Sequence, residues 1–395
     1  MTKITNASKN SFYHRRYGAK QRCNKKRTYF TAAFSVMNLS KGSVLDNPYH
    51  RYCRTNLHGD QDCMLTVAYW FNFVDFRHWL DKLLDPVGDV SLNIHCFNGA
   101  YIYLPFPYRA RHLKKLKVNN CLIRNYLSEW KAQKNYPDSL KDLEIVHSEI
   151  EVDLPTMEDV VSTLVTKETD CGQETLETLV MRNVTFKPVS IKPQTEQQTK
   201  SILDSFQTFL EKMKSVEYMC NYKQLHLLER SGVETLNKNF MDAQTERAYY
   251  PRLRTFILNS NNIVNFPVQF SNWREYFPTL REIDLSNNSV ENFTFNIPIE
   301  KTMNFVPLLI NLKNNKIRSV PLNIDKYLSL SPIILDLREN PIECDCNAKR
   351  LGNYLRAVRR RFPLYKQLTE FVCSSPTQVK DVKLIYINYE KCSQG

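Results

Sequence analysis

Glycine is scarce in this chain, with 9 among its 395 residues, and proline accounts for 18. This composition argues against glycine-rich phosphate-binding loops and against a long low-complexity linker. No apolar run reaches the length of about 18 residues that spans a membrane; the nearest segment, MLTVAYWFNFVDF, is broken by polar residues. The first 30 residues lack the apolar core of a signal peptide. We therefore expect either a cytoplasmic chain or one that is missing its leader.

Catalytic motifs are missing too. The sequence contains no GxSxG, HExxH, GxxxxGK(S/T) or GxGxxG, and its histidines occur singly. His226 has no nucleophilic Cys or Ser beside it in a catalytic context, so we interpret it as a surface histidine. We expect no enzyme activity, no cofactor and no metal site.

Positive charge is in excess, with a formal net charge of +13. Residues 1–30 contain nine Lys or Arg and no acidic residue. A charge run of this length is usually a solvated terminus, and we interpret it as a basic arm. Contact of this arm with nucleic acid, anionic lipid or an acidic glycan stays open.

A repeated motif organises the chain from residue 90 onward. The segments LRTFILNSNNI and LREIDLSNNSV begin at Leu253 and Leu280, and they share L-x-x-(F/I)-x-L-x-x-N-x-(I/V) with asparagines 27 residues apart. The asparagines of four successive copies are Asn261, Asn288, Asn315 and Asn340. Upstream copies carry other residues at that position, namely Cys121, Ser148, Val184 and, less regularly, Arg230. We count about nine repeats.

This pattern has a specific structural meaning. Alternate apolar residues put their side chains on one face of a short strand, and the residues between them point to the other face. The asparagine then turns the chain and pairs backbone groups that would otherwise be buried without a hydrogen bond. Stacked turns give a parallel sheet along one side of a coil, with short helices on the other. We therefore predict an α/β solenoid.

The motif resembles the leucine-rich repeat family, and the resemblance implies a horseshoe with a concave parallel sheet. We predict a basic N-terminal arm over 1–52, an N-terminal cap over 53–89, repeats over 90–342 with enlarged ones within 150–230, and a C-terminal cap over 343–395. Aromatic and apolar residues between the strands are predicted to be core, and they are Tyr126, Leu127, Trp130, Trp273, Tyr276 and Phe277.

The cysteines near the C-terminus indicate the compartment. Cys344-x-Cys346 is followed by a basic helical segment, Cys373 and Cys392. Zinc knuckles usually have Cys-x2-Cys spacing, so disulfides are favoured over zinc. The order resembles the C-terminal cap of extracellular leucine-rich repeat proteins, which implies the pairs Cys344 with Cys373 and Cys346 with Cys392. Because disulfides need an oxidising compartment, we expect an extracellular or cell-surface protein.

The remaining cysteines are assigned less specifically, and the total of 11 is odd. Cys53 and Cys63 are candidates to close the N-terminal cap, with Cys96 as a further partner. Cys121 occupies the asparagine position and is predicted to be a buried free thiol. Cys171 with Cys220 is a candidate bridge between the enlarged repeats, and Cys23 has no assignment.

Predicted glycosylation sites are Asn6, Asn38, Asn183, Asn287 and Asn292.

The predicted sheet offers an extended binding surface. Apolar residues exposed on it suggest a partner, and a merely solvated face is the alternative. The candidate ligand-binding residues are Arg182, His226, Leu228, Thr255, Ile257, Asn259, Glu282, Asp284 and Asn311. The mixed charge of this face does not predict specific nucleic-acid binding. A second candidate surface, for anionic lipid or glycan, is the basic cap segment with Lys349, Arg350, Arg356, Arg359, Arg360 and Arg361.

Irregular repeats, a single C-terminal cap and glycosylation sequons are together similar to Toll-like receptor ectodomains. That resemblance implies a receptor of innate immunity or development that recognises a protein or microbial ligand, forms homo- or heterodimers, and is membrane-anchored with a TIR domain in its full-length form. A secreted adhesion or matrix protein is the alternative, and an intracellular adaptor with reduced thiols is a third interpretation. A membrane span encoded downstream would favour the receptor.

Overall fold

The computed structural model describes residues 49–83, 88–106, 108–126, 128–129, 137–153, 175–189, 196–197, 200–208, 223–233, 250–271, 273–295, 307–321, 324 and 333–389. Within these ranges the strands form one sheet of 11 strands and one of 5. No helix in these ranges is long and apolar enough to cross a membrane.

The 11-stranded sheet, called the main sheet below, takes one strand from each turn of the chain. It begins with an antiparallel hairpin of β1 (Cys53–Thr55) and β2 (Gln61–Val67), and every later pair is parallel. The later strands are β4 (Val90–Cys96), β6 (Leu113–Asn119), β8 (Asp142–Val146), β10 (Thr178–Arg182), β12 (Leu227–Ser231), β13 (Thr255–Ile257), β14 (Glu282–Asp284), β15 (Leu308–Asn311) and β16 (Ile333–Asp336). Spatial order follows chain order, which confirms the predicted α/β leucine-rich repeat solenoid.

A second parallel sheet and short helices line other sides of the turns. The sheet consists of β3 (Trp70–Asn72), β5 (Tyr101–Tyr103), β7 (Leu122–Arg124), β9 (Glu149–Val152) and β11 (Thr185–Pro188). The α-helices are α1 (Phe73–Leu80), α2 (Val268–Ser271), α3 (Trp273–Tyr276) and α4 (Lys349–Arg361), with further helical residues at 200–208. Short 3-10 helices are His50–Tyr52, Cys346–Ala348, Pro363–Thr369, Thr377–Val379 and Leu384–Tyr386.

The core lies between the two sheets and the helices and follows the predicted alternation. In β4, Leu92 and Ile94 are buried, whereas Asn93 is half-buried and His95 is exposed. The aromatic residues predicted as core are buried at Tyr126, Trp273 and Phe277 and partly buried at Tyr276. Leu127 and Trp130 lie outside the described residues.

Four buried asparagines join successive turns at the point where the chain leaves the main sheet. The Oδ1 of Asn315 accepts a hydrogen bond from the Val290 amide at 2.9 Å, and its Nδ2 donates to the carbonyls of Leu285 and Leu312, each at 3.0 Å. Equivalent bonds are made by Asn261, Asn288 and Asn340. Each amide therefore pairs buried backbone groups of its own turn and of the preceding turn.

The residue before the asparagine position reverses the chain through the left-handed region. Its φ lies between 49° and 60° in eight successive turns, at Asn120, His147, Asn183, Gly232, Ser260, Asn287, Asn314 and Glu339. Asparagine and glycine tolerate this conformation best. At Gly232 an added Cβ would contact the Oδ1 of Asn183, so a larger residue there would have to displace that side chain. This row marks the register of each repeat.

The row corrects the predicted register of one enlarged repeat. Arg230 was predicted at the asparagine position, but strand pairing sets Leu228 beside Leu179 and Phe256, which places Val233 there. Arg230 instead occupies an inward position beside Met181 and is buried. The template expects an apolar residue at the inward position that Arg230 occupies. The leucines before Arg230 match the template better in a shifted register, and the prediction was wrong because it followed that register.

The disulfides agree with the predicted C-terminal cap and correct another assignment. Cys344 is bonded to Cys373 as predicted, and Cys346 is also disulfide-bonded, although its predicted partner Cys392 lies outside the described residues. Cys53 pairs with Cys63 across the β1–β2 hairpin.

Cys121 is not the free thiol that was predicted, because it is bonded to Cys96 on the preceding turn. The disulfide therefore joins two turns at the edge where asparagines join the later ones. Cys23, Cys171 and Cys220 lie outside the described residues.

The first described residue, Tyr49, belongs to the packed N-terminal part of the described solenoid. Tyr49 packs against Phe76 and Trp79, with ring centroids 5.3 Å and 5.5 Å away. β2 lies within 53–89, the segment predicted as the N-terminal cap, yet it already pairs in parallel with β4. The boundaries of the four predicted segments stay predictions.

Replacing Asn315 by Ala should destabilise the fold by about 3 kcal/mol, because one buried amide donor and two carbonyls lose partners that water cannot replace. Chemical denaturation monitored by circular dichroism would measure the loss. The exposed Asn98→Ala is the matched control, with an expected change below about 0.5 kcal/mol. Equal effects of the two changes would contradict the proposed role of the buried amide.

Candidate ligand-binding face

Parallel pairing in register arranges the outward side chains of the main sheet in rows. The middle row runs from β8 to β15 through Glu144, Val180, Glu229, Ile257, Asp284 and Asn311. The first row, which precedes it along each strand, runs through Asp142, Thr178, Leu227, Thr255, Glu282 and Leu309. The third row begins with Val146, Arg182 and Ser231.

Most of the predicted ligand-binding residues come together on three neighbouring strands. Thr255 and Ile257 on β13, Glu282 and Asp284 on β14 and Asn311 on β15 are adjacent in the first and middle rows and half-buried. Asn259 follows β13 directly, whereas Arg182 ends β10, two strands away.

The shifted register changes the surface on β12. Leu228 was predicted to face outward, but it is buried in the core. His226 is exposed and precedes the strand. The outward residues that sequence reasoning missed are Leu227, Glu229 and Ser231. Gly232 was the available signal, because a Ser-Gly pair fits the left-handed turn that ends every strand.

A chain of ion pairs, called the charge ladder below, crosses four strands from β6 to β12. Lys117 Nζ lies 2.8 Å from Glu144 Oε2, and the other oxygen of Glu144 lies 3.2 Å from Arg182 Nη1. Arg182 Nη2 donates to Glu229 Oε2 at 2.6 Å, while its Nε donates to Oε1. Glu229 also accepts from the Ser231 hydroxyl at 3.0 Å. The hydrogen bonds to Glu229 raise the pKa of Arg182 above its ordinary value.

The charge ladder is anchored by a buried carboxylate. The side chain of Glu229 is only 7% exposed, so its charge requires the fork of Arg182. Lys115 and Asp142 form a further pair at 3.4 Å, both in contact with solvent. The basic residues of β6 and the acidic residues of β8 thus neutralise each other.

The far end of the main sheet is also internally paired. Arg338 Nη2 lies 2.6 Å from Asp336 Oδ2, and the carboxyl of Asp336 is almost fully buried. Lys313 Nζ lies 3.0 Å from Glu339. These strand-end cations therefore have partners on their own or the next turn.

Between these paired regions lies a section that combines two carboxylates with three apolar side chains. It is called the acidic–apolar section below and consists of Leu227, Ile257, Glu282, Asp284 and Leu309. Within the described residues neither Glu282 nor Asp284 forms an ion pair. Asp284 accepts from the Ser286 amide at 2.8 Å. The three apolar side chains of the section are half-buried on the flanking strands. Burial raises the pKa of the Glu282 carboxyl above its ordinary value, and the nearby Asp284 raises it further.

The predicted basic cap residues all lie on α4. Lys349, Arg350, Arg356, Arg360 and Arg361 are exposed, and Arg359 is half-buried, 3.0 Å from Glu370. Glu370 also lies 3.1 Å from Lys383, and the hydrogen bond from Lys383 is the main cause of a lowered pKa at Glu370.

Three predicted glycosylation sites are within the described residues. Asn183 and Asn287 occupy left-handed turn positions at one edge of the solenoid, and both are exposed. Asn292 is also exposed, and it forms an isolated parallel β-bridge with Asn265. Asn6 and Asn38 lie outside the described residues. In the described part of the chain no group of three or more His, Cys, Asp or Glu is arranged to hold a metal ion.

No family model and no curated protein matches this chain. Among solved structures, human 5T4 (Wnt-activated inhibitory factor 1, trophoblast glycoprotein) is 16% identical with a TM-score of 0.41, over 85% of this chain and 96% of that chain. Mouse RP105, in complex with MD-1, is 14% identical with a TM-score of 0.44, over 82% of this chain and 49% of that chain. Drosophila Toll, in complex with Spatzle, is 18% identical with a TM-score of 0.43, over 78% of this chain and 37% of that chain. Likeness at this level concerns the fold alone.

Replacing Arg182 by Met should destabilise the fold by about 2 kcal/mol, because Glu229 keeps a buried charge without its cation. Denaturant titration of the single variant and of Arg182→Met with Glu229→Gln would test this, with most of the loss recovered in the double variant. Lys115→Met, which breaks an exposed pair, is the control and should cost less than about 0.5 kcal/mol. A double variant no more stable than Arg182→Met would contradict the argument.

Glu282→Gln should stabilise the fold at neutral pH and leave it unchanged at acidic pH. Because the folded-state pKa is raised above its ordinary value of 4.5, the folded state keeps the proton to higher pH than the unfolded state. The resulting stability is complete below the ordinary pKa and is lost as pH rises through the folded-state pKa. Melting temperatures of both proteins between about pH 4 and 8 would show this, with the exposed Glu291→Gln as control. A constant difference across that range would contradict it.

Proposed function

We propose that this chain is a non-catalytic extracellular ectodomain that binds a protein ligand on the acidic–apolar section of the main sheet. One contrast carries the proposal. The charges of the ladder and of β16 are paired with each other, whereas Glu282 and Asp284 have no cationic partner among the described residues. Two carboxylates beside half-buried apolar side chains form a surface that a partner can complete.

The disulfides support the extracellular placement. The bonds of Cys53 with Cys63, Cys96 with Cys121, and Cys344 with Cys373 all persist most readily in an oxidising compartment. The last of these closes the end of the solenoid, where the core would otherwise meet water. The predicted sequons point the same way, since exposed Asn183, Asn287 and Asn292 suit glycosylation of a secreted protein.

The surface favours a ligand of a particular chemistry. Its strands are paired in register, so a folded protein can lie across several of them. A Lys or Arg of that protein would pair with Glu282 and Asp284, while apolar groups would cover Ile257 and Leu309. Thr255, Asn259 and Asn311 add hydrogen-bonding groups around this centre.

The receptor role belongs to the same proposal. The repeat and cap motifs of the sequence support its further parts. These are signalling in innate immunity or development, a microbial ligand as the alternative to a host protein, homo- or heterodimer formation and a membrane anchor. Adhesion or matrix function without signalling uses the same ligand-binding face. Loss of binding in a variant of that face would support either role.

Ile257→Glu should weaken ligand binding at least about tenfold without unfolding the chain, because it places a third carboxylate beside Asp284 and removes an apolar contact. The probe is the disulfide-intact chain in multimeric form, applied to an array of purified secreted proteins. Each protein that binds is then titrated against the variants by surface plasmon resonance.

The neutral Ile257→Gln separates lost apolar contact from added charge, and Leu57→Glu, at a fully exposed hairpin tip, is the matched control. Circular dichroism should show the same fold for all variants. Binding that persists in both Ile257 variants, or no binder on the array, would count against a ligand site on this section.

A further inference from the structure

We infer that the exposed side of helix α4 binds a sulfated polysaccharide. The inference rests on the extracellular placement proposed above, but it concerns a surface at the end of the solenoid, away from the acidic–apolar section. The observations are the charge of this helix, the arrangement of its cations and the rigidity of its attachment.

The charge of the helix is strongly one-sided. Its 13 residues, KRLGNYLRAVRRR, include six Lys or Arg and no acidic residue. Over residues 344–389 the chain has nine Lys or Arg against three Asp or Glu. Of these three, Glu370 is already shared by Arg359 and Lys383, and Asp345 accepts hydrogen bonds from Asn347. The positive field of the helix is therefore not cancelled within the described cap.

The cations form a line along the helix. The opposite side, with Leu351, Tyr354, Leu355 and Val358, is buried in the core. Lys349, Arg356 and Arg360 recur at spacings of seven and four residues, which puts them on one stripe about 16 Å long. A linear polyanion with regularly spaced charges can follow such a stripe.

The helix is held rigidly against the last strand. The Tyr354 hydroxyl donates to the Ile333 carbonyl at 2.6 Å and accepts from the Leu335 amide at 3.1 Å, so it covers the edge of β16. Arg356 Nη1 donates to the Ile385 carbonyl at 3.1 Å, and the disulfide of Cys344 with Cys373 closes the cap. The stripe is consequently preorganised, which lowers the entropy cost of binding an extended chain.

Two cations of the stripe remain available for a ligand. Lys349 and Arg360 are exposed, and within the described residues neither forms an ion pair. Guanidinium groups bind oxyanions such as sulfate through paired N–H donors, and the cations of this helix are mainly arginines.

Other polyanions fit less well. A membrane-binding helix inserts an apolar side, but that side of α4 is turned into the core. The exposed apolar side chains of the described cap, such as Leu364 and Tyr386, lie beyond the end of this helix. A nucleic acid would gain from aromatic stacking, yet the one aromatic residue of α4, Tyr354, is buried. In an oxidising extracellular setting, sulfated polysaccharides supply the matching charge.

The test uses size-defined heparin oligosaccharides and the full disulfide-bonded chain, with affinity measured by calorimetry at several salt concentrations. Lys349→Glu with Arg360→Glu should weaken binding at least about tenfold and reduce the number of released counterions by about two. Arg51→Glu with Arg54→Glu makes the same charge change at exposed positions of the opposite end and should have little effect. If the charge reversal disturbs folding, the neutral variant Lys349→Gln with Arg360→Gln is measured instead, and it should also weaken heparin binding.

Three outcomes would overturn the inference. Unchanged affinity in both α4 variants would assign heparin binding to the basic arm, and equal losses in the α4 and control variants would indicate a diffuse charge effect. Tighter binding of single-stranded RNA or of phosphatidylserine vesicles than of heparin would show that the preferred ligand is a nucleic acid or a membrane and not a sulfated polysaccharide. None of these results bears on the Ile257 titration, so failure here is distinguishable from failure of the proposed function.

Discussion

The fold depends on satisfying the backbone groups that each turn buries as it leaves the main sheet. In the C-terminal half, one asparagine per turn does this, since its amide donates to carbonyls of two turns and its oxygen accepts from a third backbone group. In the N-terminal half, Ser148 makes part of the pattern by accepting from the Cys121 amide, and the disulfide of Cys96 with Cys121 adds a covalent link. Without such links the stacked turns would bury unpaired polar groups.

The same stacking determines what the outer face can do. In-register parallel strands set equivalent residues of neighbouring turns within reach of one another, so a basic strand beside an acidic strand becomes a set of ion pairs. The charge ladder of Lys117, Glu144, Arg182 and Glu229 arises in this way. The charges of the ladder are therefore largely neutralised within the sheet, whereas Glu282 and Asp284 form no ion pair among the described residues.

The ends of a solenoid need different solutions from its middle. At the N-terminal end, β1 folds back on β2 and a disulfide holds the hairpin. At the C-terminal end, α4 packs over β16, and Tyr354 takes up the hydrogen-bonding groups of the strand edge. Because the apolar side of α4 covers the core, its basic side faces solvent.

The sequence by itself determined the repeat and the alternation of buried and outward residues, because these follow from local periodicity. The disulfide of Cys344 with Cys373 was implied by the resemblance of the C-terminal cysteines to the cap of extracellular leucine-rich repeat proteins. The sequence did not determine the register of the repeat with Arg230, whose charged side chain is buried at an inward position that the template reserves for apolar residues. Nor did it show that Cys121 bonds Cys96, or that the charges of β6 to β12 cancel. These depend on which residues meet across turns separated by tens of residues, and only the tertiary structure decides those distances.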